Sequence, residues 1–476
     1  MGRATSWRWA VVFCWALAGA CGGSDSAEKC TADELAAALG AARAGDTVRV
    51  GACRIAGSFE VPAGVTLTGH GPTESVLLTT GHRPVLRLVP GASPTRVADL
   101  GVLSSGNSGI WITGTGSAVL ERVRLEATRG IGVAAEDVDV LELRSLELVG
   151  PIVETNRNSV LMSGSPPEVD PDLWATHGLL LVRVADARLE DVTARGFASF
   201  GALLVDGATT WERGGAPRNL GTGLMISGGS AVLRDLDLSG TFRGVLVRLA
   251  YGGVFADAAD VESSGLVVDD GDNFGLLHDG ATARHTDLVA GGNGGPAVWI
   301  QDCDGVELAG AGMALAGNRL AGVVAVHSSN VTVSDGRIDD TALATRIFEE
   351  SRSVQVGDGV QVVGAAGPVT LRRLALSGNE RAGLLIDLGG GTMDGIAVDT
   401  LAVDGFGTQY GALVQNGDAA SGWDTSVSRE GATADNDVRP HADLSIVGRV
   451  DPDDVPAVDR VGVDGVNAII DPNPPD

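Results

Sequence analysis

The chain has 476 residues, with 34 Lys and Arg against 61 Asp and Glu, a formal net charge of −27, 69 glycines and only 4% aromatic residues. That charge excludes free polyanions such as nucleic acid as partners, because phosphate contacts need clustered basic side chains. Lys29 is the sole lysine, so chemistry needing a lysine base in the folded body is excluded too, while the surplus carboxylates are hard oxygen ligands suited to divalent cations.

Arg3 and Arg8 flank the start of an uncharged apolar run, Trp9 to Leu17, and Ala18-Gly19-Ala20 lead to Cys21. The run is too short to span a bilayer and reads as a secretory signal over residues 1–20. Small residues ending at a cysteine, followed by Gly22-Gly23-Ser24-Asp25-Ser26, resemble the lipobox and tether of bacterial lipoproteins. The chain departs from that pattern in placing Leu17 four residues before the cysteine, where the family prefers three. The resemblance implies lipid on Cys21, a tether over 21–29 and a membrane partner through the lipid. With Gly22 in place of the Asp associated with inner-membrane retention, it implies an outer-membrane lipoprotein, periplasmic or surface-exposed. The alternative is an ordinary signal peptide cut nearby, with Cys21 a stray thiol. Cys14 leaves with the signal, and Cys30 and Cys53 remain as a disulfide pair suited to an oxidising compartment, with two separate thiols as the alternative. Cys303 is left over and is expected to be buried, where a thiol behaves as a small hydrophobe.

After the signal, Thr31-Ala-Asp-Glu34 forms a capping box, with Leu35, Ala38, Leu39 and Ala42 on one helical face and Gly45 beyond the end. Ala44-Gly-Asp-Thr-Val-Arg-Val, Gly51-Ala-Cys-Arg-Ile and Val61-Pro-Ala-Gly-Val-Thr-Leu-Thr-Gly-His-Gly71 follow. This order is similar to the start of the pectate-lyase-like superfamily, where a short amphipathic helix plugs the open core and a Gly-Asp corner leads into the first coil. A solenoid needs such a plug, because its first coil otherwise exposes apolar residues and an unpaired edge. The resemblance implies an all-β, right-handed parallel β-helix over residues 30–450, with the Cys30–Cys53 bridge pinning the plug to the coil.

The body repeats. Gly201-ALLVDG, Gly223-LMISGG, Gly244-VLVRLA, Gly275-LLHDGA, Gly322-VVAVHS, Gly359-VQVVGA, Gly383-LLIDLG and Gly411-ALVQNG align at their glycines, and Gly178 and Gly295 add further starts. The closest starts lie 20 to 24 residues apart, a period that signals stacked supersecondary units. A second strand follows in each unit, as in Ala231-VLRDLDL, Ala118-VLERVRL and Val369-TLRRLAL, with Val and Leu inward and Arg, Asp or Glu outward. Asn107, Asn273 and Asn293 stand two residues before a start, and Asn318 and Asn379 four before. Asn tolerates the left-handed conformation and bonds locally, so these are expected at corners, as in pectate-lyase-like β-helices. A glycan-binding Asn ladder is the alternative.

Pro151 to His177, Tyr251 to Glu262 and Thr341 to Val356 break the period and are expected to be loops, and residues 451–476 form an acidic tail. The fourth residue after each glycine is expected to face outward, giving the column Ser227, Arg248, Asp279, Asp387 and Gln415, which Val205, Val326 and Val363 interrupt. Arg248 and Asp279 would then touch across adjacent coils, with Tyr251, Asp269, Asp270 and Asp272 between them in a coil lengthened to 31 residues. Arg248, Asp270 and Asp279 are the catalytic candidates, Tyr251, Asp269 and Asp272 the binding candidates, and Asp269, Asp270 and Asp272 a possible Ca²⁺ site. The plainer alternative is a surface ion pair beside a polar turn. His278 falls at an inward position as a hydrogen-bonded core residue, and His285 beside Arg284 is expected on a solvated strand face.

Asp269-Asp270 resembles the carboxylate pair of polygalacturonase-like hydrolases, and Gly69-His70-Gly71 their Gly-His-Gly. The latter lies in the first turns, far from Asp269, and the flanking Asn-x-Asp and Arg-x-Lys elements are absent. A pectate-lyase-like route needs Ca²⁺-binding carboxylates and a basic residue, for which Arg248 is the candidate. Two functions follow: a tethered scaffold that binds glycans or a surface protein, or a polysaccharide lyase or glycoside hydrolase acting on acidic polysaccharide.

Overall fold

A computed structural model describes residues 27–79, 81–105, 108–151, 177–198, 200–241, 253–348, 352–390, 395–404 and 410–416, with the pairs 427–428 and 437–438. One helix, Ala32–Ala41, opens the described chain, and the remaining elements are short strands. Thr31 caps the helix and accepts from the Glu34 amide at 3.3 Å, while Glu34 reaches back to the Cys30 amide at 3.4 Å. Leu35 and Leu39 are buried against the first coil, so the helix plugs the core as its pattern implies. The Cys30–Cys53 disulfide is present, with a Cα separation of 5.8 Å.

Each coil contributes one strand to one long parallel sheet and one bent strand, or two short ones, to a second, and the whole is a right-handed parallel β-helix. Sheet 1 holds the strands that begin at the aligned glycines, such as His177–Val182, Phe200–Val205 and Thr222–Ser227. Sheet 2 holds the second strands, such as Asp186–Arg195, Ala208–Gly215 and Ser230–Asp237. Pairing is in register from coil to coil, so equivalent residues stack in columns about 4.8 Å apart. One inward column of sheet 2 runs Val97, Leu120, Leu143, Leu189, Trp211 and Leu233, all of them buried.

The register corrects two coil starts. Val254–Asp257 pairs with Leu224–Ser227 on one side and with Leu276–Asp279 on the other, so the start after Gly223 is Gly253, not Gly244. The lengthened coil therefore lies between Gly223 and Gly253, and the next has the ordinary spacing. Val298–Gln301 pairs with Leu276–Asp279, so Ala297 takes the place expected for Gly295. The expected loop 251–262 contains the strands Val254–Asp257 and Asp260–Ser264, and the expected loop 341–356 contains an antiparallel hairpin of Ala344–Phe348 with the start of Arg352–Val363. Residues 152–176 and 451–476 lie outside the described residues.

Glycine stands at the coil start because the next coil is too close for a side chain. A Cβ on Gly178 would lie 2.4 Å from the Gly201 carbonyl oxygen, and one on Gly275 would lie 2.4 Å from that of Ala297. The corner before this position is held by Asn219, Asn293, Asn318 and Asn379, each 2% exposed or less. Asn293 Nδ2 donates to Asn318 Oδ1 at 2.9 Å, and Asn318 Nδ2 donates to the Ala290 carbonyl at 2.9 Å. Their burial removes the glycan-binding alternative and supports the corner role. Asn293 belongs to this set four residues before Ala297. Asn107 lies outside the described residues.

Sheet 2 bends at a second corner, where one residue per coil takes a left-handed conformation: Asp99 (φ 56°), Arg122 (φ 51°), Asp191 (φ 54°), Arg213 (φ 58°), Asp335 (φ 62°) and Arg373 (φ 50°) among them. Asp adopts that region by local hydrogen bonding, whereas Arg does so at a cost. The cost is offset across coils: Arg122 Nε donates to Asp99 at 2.6 Å, Arg213 Nε to Asp191 at 3.0 Å, and Arg373 pairs with Asp335. Hydrogen bonding to its guanidinium holds the Asp335 carboxyl down at about 2, and the Arg122 guanidinium holds Asp99 below its ordinary value.

The Asn corner gives a direct test. Replacing Asn318 by Ala leaves the Asn293 amide groups and the Ala290 carbonyl without their buried partner, at about 1–3 kcal/mol per orphaned group. A fall of that order in unfolding free energy from urea titration is expected, whereas Thr370→Ala on the outer face of sheet 2 should leave the midpoint nearly unchanged.

Candidate functional site

The outward column of sheet 1 is real, but its membership changes with the register. It runs Val205, Ser227, Asp257, Asp279, Gln301, Val326, Val363, Asp387 and Gln415. Asp257 fills the place assigned to Arg248, so the expected Arg248–Asp279 contact is replaced by two carboxylates in register. Arg248 and Tyr251 lie outside the described residues, as does Cys21. Asp257 was hidden because the insertion before Gly253 carries its own Gly-Val-Leu-Val pattern, which imitates a coil start.

Asp269, Asp270 and Asp272 sit at the turn before the strand Leu276–Asp279, while Asp279 ends that strand. The strand thus separates the turn carboxylates from Asp279. Asp269 Oδ1 accepts from the Gly291 amide at 2.6 Å and serves the neighbouring coil; its partial burial raises its pKa. Asp270 occupies a left-handed corner (φ 57°) and is exposed. Among the described residues no group of three His, Cys, Asp or Glu side chains is placed to hold a metal ion. His70, from the Gly-His-Gly, bonds Glu28 at 2.8 Å in the first coil.

The most polar place in the core lies in the same coils. His278 is fully buried at its inward position, as expected, and His285 is fully buried too, which corrects its expected placement on a solvated face. Ala283 and His285 alternate with exposed neighbours, so they share the inward side. His285 Nε2 and His278 Nε2 are 2.9 Å apart, and His285 Nδ1 is 2.6 Å from Ser263 Oγ. One Nε2 donates and the other accepts, so at least the accepting ring is neutral. His278 Nδ1 has no hydrogen-bond partner. Burial pushes His278 down to about 4 and His285 well below its ordinary value, and the charge of His278 also opposes protonation of His285. Cys303 is buried as expected, and burial raises its thiol to about 12, so it is unreactive as a thiolate.

The two outer faces differ. On sheet 1 the outward Leu180, Leu203, Met225, Leu277, Trp299 and Val324 are 2% exposed or less, and Phe274 packs edge-on against Trp299 at 4.9 Å. Strands buried on both faces read as nearly continuous apolar runs, which the Leu-Leu-Leu and Val-Trp-Ile segments show. Polar breaks in this face are internally bonded: Arg381 Nε donates to Asp358 at 2.8 Å, and Gln415 Nε2 to Asp387 at 2.7 Å. On sheet 2 the outer face is solvated and carries coil-to-coil ion pairs, including Arg124–Glu147 at 3.0 Å and Arg234–Glu212 at 2.7 Å. A groove on this face is lined by Ser230, Glu262, Thr282, Arg284, Glu307 and Thr332, with Arg284 3.2 Å from Glu307.

No protein-family model and no curated protein sequence matches the chain. Among solved structures it is similar to the A-module of the mannuronan C-5 epimerase AlgE4 of Azotobacter vinelandii, at 12% identity over 88% of this chain and 95% of that one, with a TM-score of 0.38. Similarity to the pectate lyase Pel9A is 13% over 78% and 74%, with a TM-score of 0.26. The catalytic unit of a GH87 α-1,3-glucanase from Streptomyces thermodiastaticus is 14% identical over 83% and 66%, with a TM-score of 0.27. These neighbours are β-helices, and the likeness assigns no residue of this chain a role. The class is a right-handed parallel β-helix.

The histidine pair sets a pH dependence. Its folded pKa is lowered, so the unfolded chain binds more protons between about 4 and the ordinary 6.5. Stability is therefore full above that window and is lost as the pH falls through it, by a few kcal/mol for a shift of this size. The urea midpoint is expected to drop between pH 6.5 and 4, and His278→Leu should flatten that drop. The corner Asp–Arg pairs act at lower pH, because their carboxyl groups protonate below the ordinary range.

Proposed function

We propose that the protein is an exported outer-membrane lipoprotein, anchored through Cys21, whose β-helix is a scaffold that binds a glycan or a surface protein along the outer face of sheet 2. The observation that carries this is the groove around Arg284. Hydroxyl groups of Ser230, Thr282 and Thr332 and charged groups of Glu262, Arg284 and Glu307 come from successive coils there. Polar side chains stacked about every 4.8 Å along the axis, Glu262, Arg284, Glu307 and Thr332 in one column, offer an extended, hydroxyl-rich polymer a hydrogen-bonding partner at successive units. Ion pairing within the face leaves these groups ordered before a ligand arrives, which lowers the entropy cost of binding.

A second reading is an enzyme acting on acidic polysaccharide, favoured by Asp257 and Asp279. These carboxylates stand in register on adjacent coils, are half-buried, and have Gln301 beside them. Two carboxyl groups so placed can divide acid and base roles when their surroundings separate their protonation.

Retention of the mature protein in gels containing alginate, pectate or α-glucan tests the first reading. Retardation by one polymer, weakened at least about tenfold by Arg284→Ala with Glu307→Ala, is the expected result, corresponding to the loss of roughly 1.4 kcal/mol or more. Binding that the double substitution leaves intact would move the site off this face. Product formation on the same polymers that disappears in Asp257→Asn and Asp279→Asn would establish the enzyme instead. Labelled palmitate is expected in the wild type and absent from Cys21→Ala.

A further inference from the structure

The two ends of the rod differ in charge. Residues 27–90 hold six basic and six acidic side chains, whereas residues 91–476 hold 26 basic and 54 acidic ones. The first coils are thus neutral, and the chain's whole negative excess lies beyond them. Among the described residues, Arg43, Arg49 and Arg54 are exposed in this first coil and take part in no ion pair. Further along, by contrast, Arg96, Arg122, Arg124, Arg144, Arg183 and Arg188 all meet carboxylates.

The chain also enters at this end and is held there firmly. Lys29 pairs with the edge of the first coil, its amide donating to the Arg49 carbonyl at 2.9 Å and its carbonyl accepting from Gly51 at 2.9 Å. Glu28 meets His70, and Cys30 is bonded to Cys53. From Cys21 to Glu28 a fully extended backbone reaches about 25 Å, less than half of the roughly 60 Å spanned by the stacked strands at the coil spacing.

We infer that the plug end is the surface that faces the membrane, with Arg43, Arg49 and Arg54 set against anionic lipid headgroups. This rests on anchoring through Cys21. Anionic lipid attracts unpaired arginines near it and repels the acidic flanks within a Debye length. A rod lying flat brings those flanks onto the surface; a rod standing on its plug brings down only the neutral end. The glycan-facing groove of sheet 2 is then held away from the bilayer.

The test places a fluorescent donor, as an unnatural amino acid, at position 37 on the exposed side of the plug helix or at position 370 in a far coil. The acceptor is on the headgroups of phosphatidylcholine vesicles with or without phosphatidylglycerol. Flotation of the cell-made protein, compared with Cys21→Ala, reads anchoring by itself. If the natural lipid is absent, the mature chain coupled through Cys21 to a maleimide lipid poses the same orientation question. Strong transfer from position 37 and weak transfer from 370 is expected with phosphatidylglycerol present. The Arg43→Gln, Arg49→Gln, Arg54→Gln triple variant should lower the signal at position 37 to that seen with phosphatidylcholine alone. Equal transfer from both positions, or a position-37 signal indifferent to both the anionic lipid and the triple variant, would overturn the inference.

Discussion

Every coil of this protein must lie over the one before it at the hydrogen-bonding distance between strands, and that single spacing governs the rest. A column of like residues stacks at about 4.8 Å, so a side chain acceptable once must be acceptable beside its own kind. Apolar columns satisfy this by packing. Glycine at the coil start satisfies it by leaving room, because the Gly201 carbonyl sits where the Cβ of residue 178 would be. Asparagine satisfies it by bonding onward, as Asn293 does to Asn318.

Charge is harder to stack, since like charges repel at that distance. Sheet 2 answers with alternation: Asp99 meets Arg122, Asp191 meets Arg213, and Asp335 meets Arg373 at the left-handed corner. Pairs this exposed contribute modestly to stability. Their larger effect is on register, because sliding one coil by a residue would break these pairs and turn the apolar side outward. The same logic explains how a chain with so large an acidic excess keeps a rod together. Asp99, Asp191 and Asp335 find an arginine on the neighbouring coil, and Asp139, Asp269 and Asp287 a backbone amide there.

The histidine pair is the exception to apolar stacking in the core. His278 stacks between Ala256 and Ile300, and His285 between Ser263 and Leu308. Neither ring can be satisfied by the column above or below it, apart from Ser263, so they bond across the core to each other. This makes the core of these coils sensitive to protons between about pH 4 and the ordinary histidine value. Asp257, Asp279 and the groove around Arg284 belong to the coils on and beside it, so the functional candidates sit where the core is least uniform.

The sequence by itself determined the architecture: the glycine period, the alternating second strands, the capped plug helix and the cysteine pair all express local geometry that neighbouring residues dictate. It also placed His278 inside, because one strand's alternation decides that. Which residues meet between coils was decided only by the tertiary structure. The insertion before Gly253 contains a false start, and a shift there moved Asp257 into the column in place of Arg248 without disturbing any local pattern. His285 was missed beside Arg284 because a short polar strand gives alternation few apolar residues to mark its phase. The burial of Leu277 and Trp299 on the outer side of sheet 1 likewise depends on what packs over the sheet, and no periodicity within a strand records that.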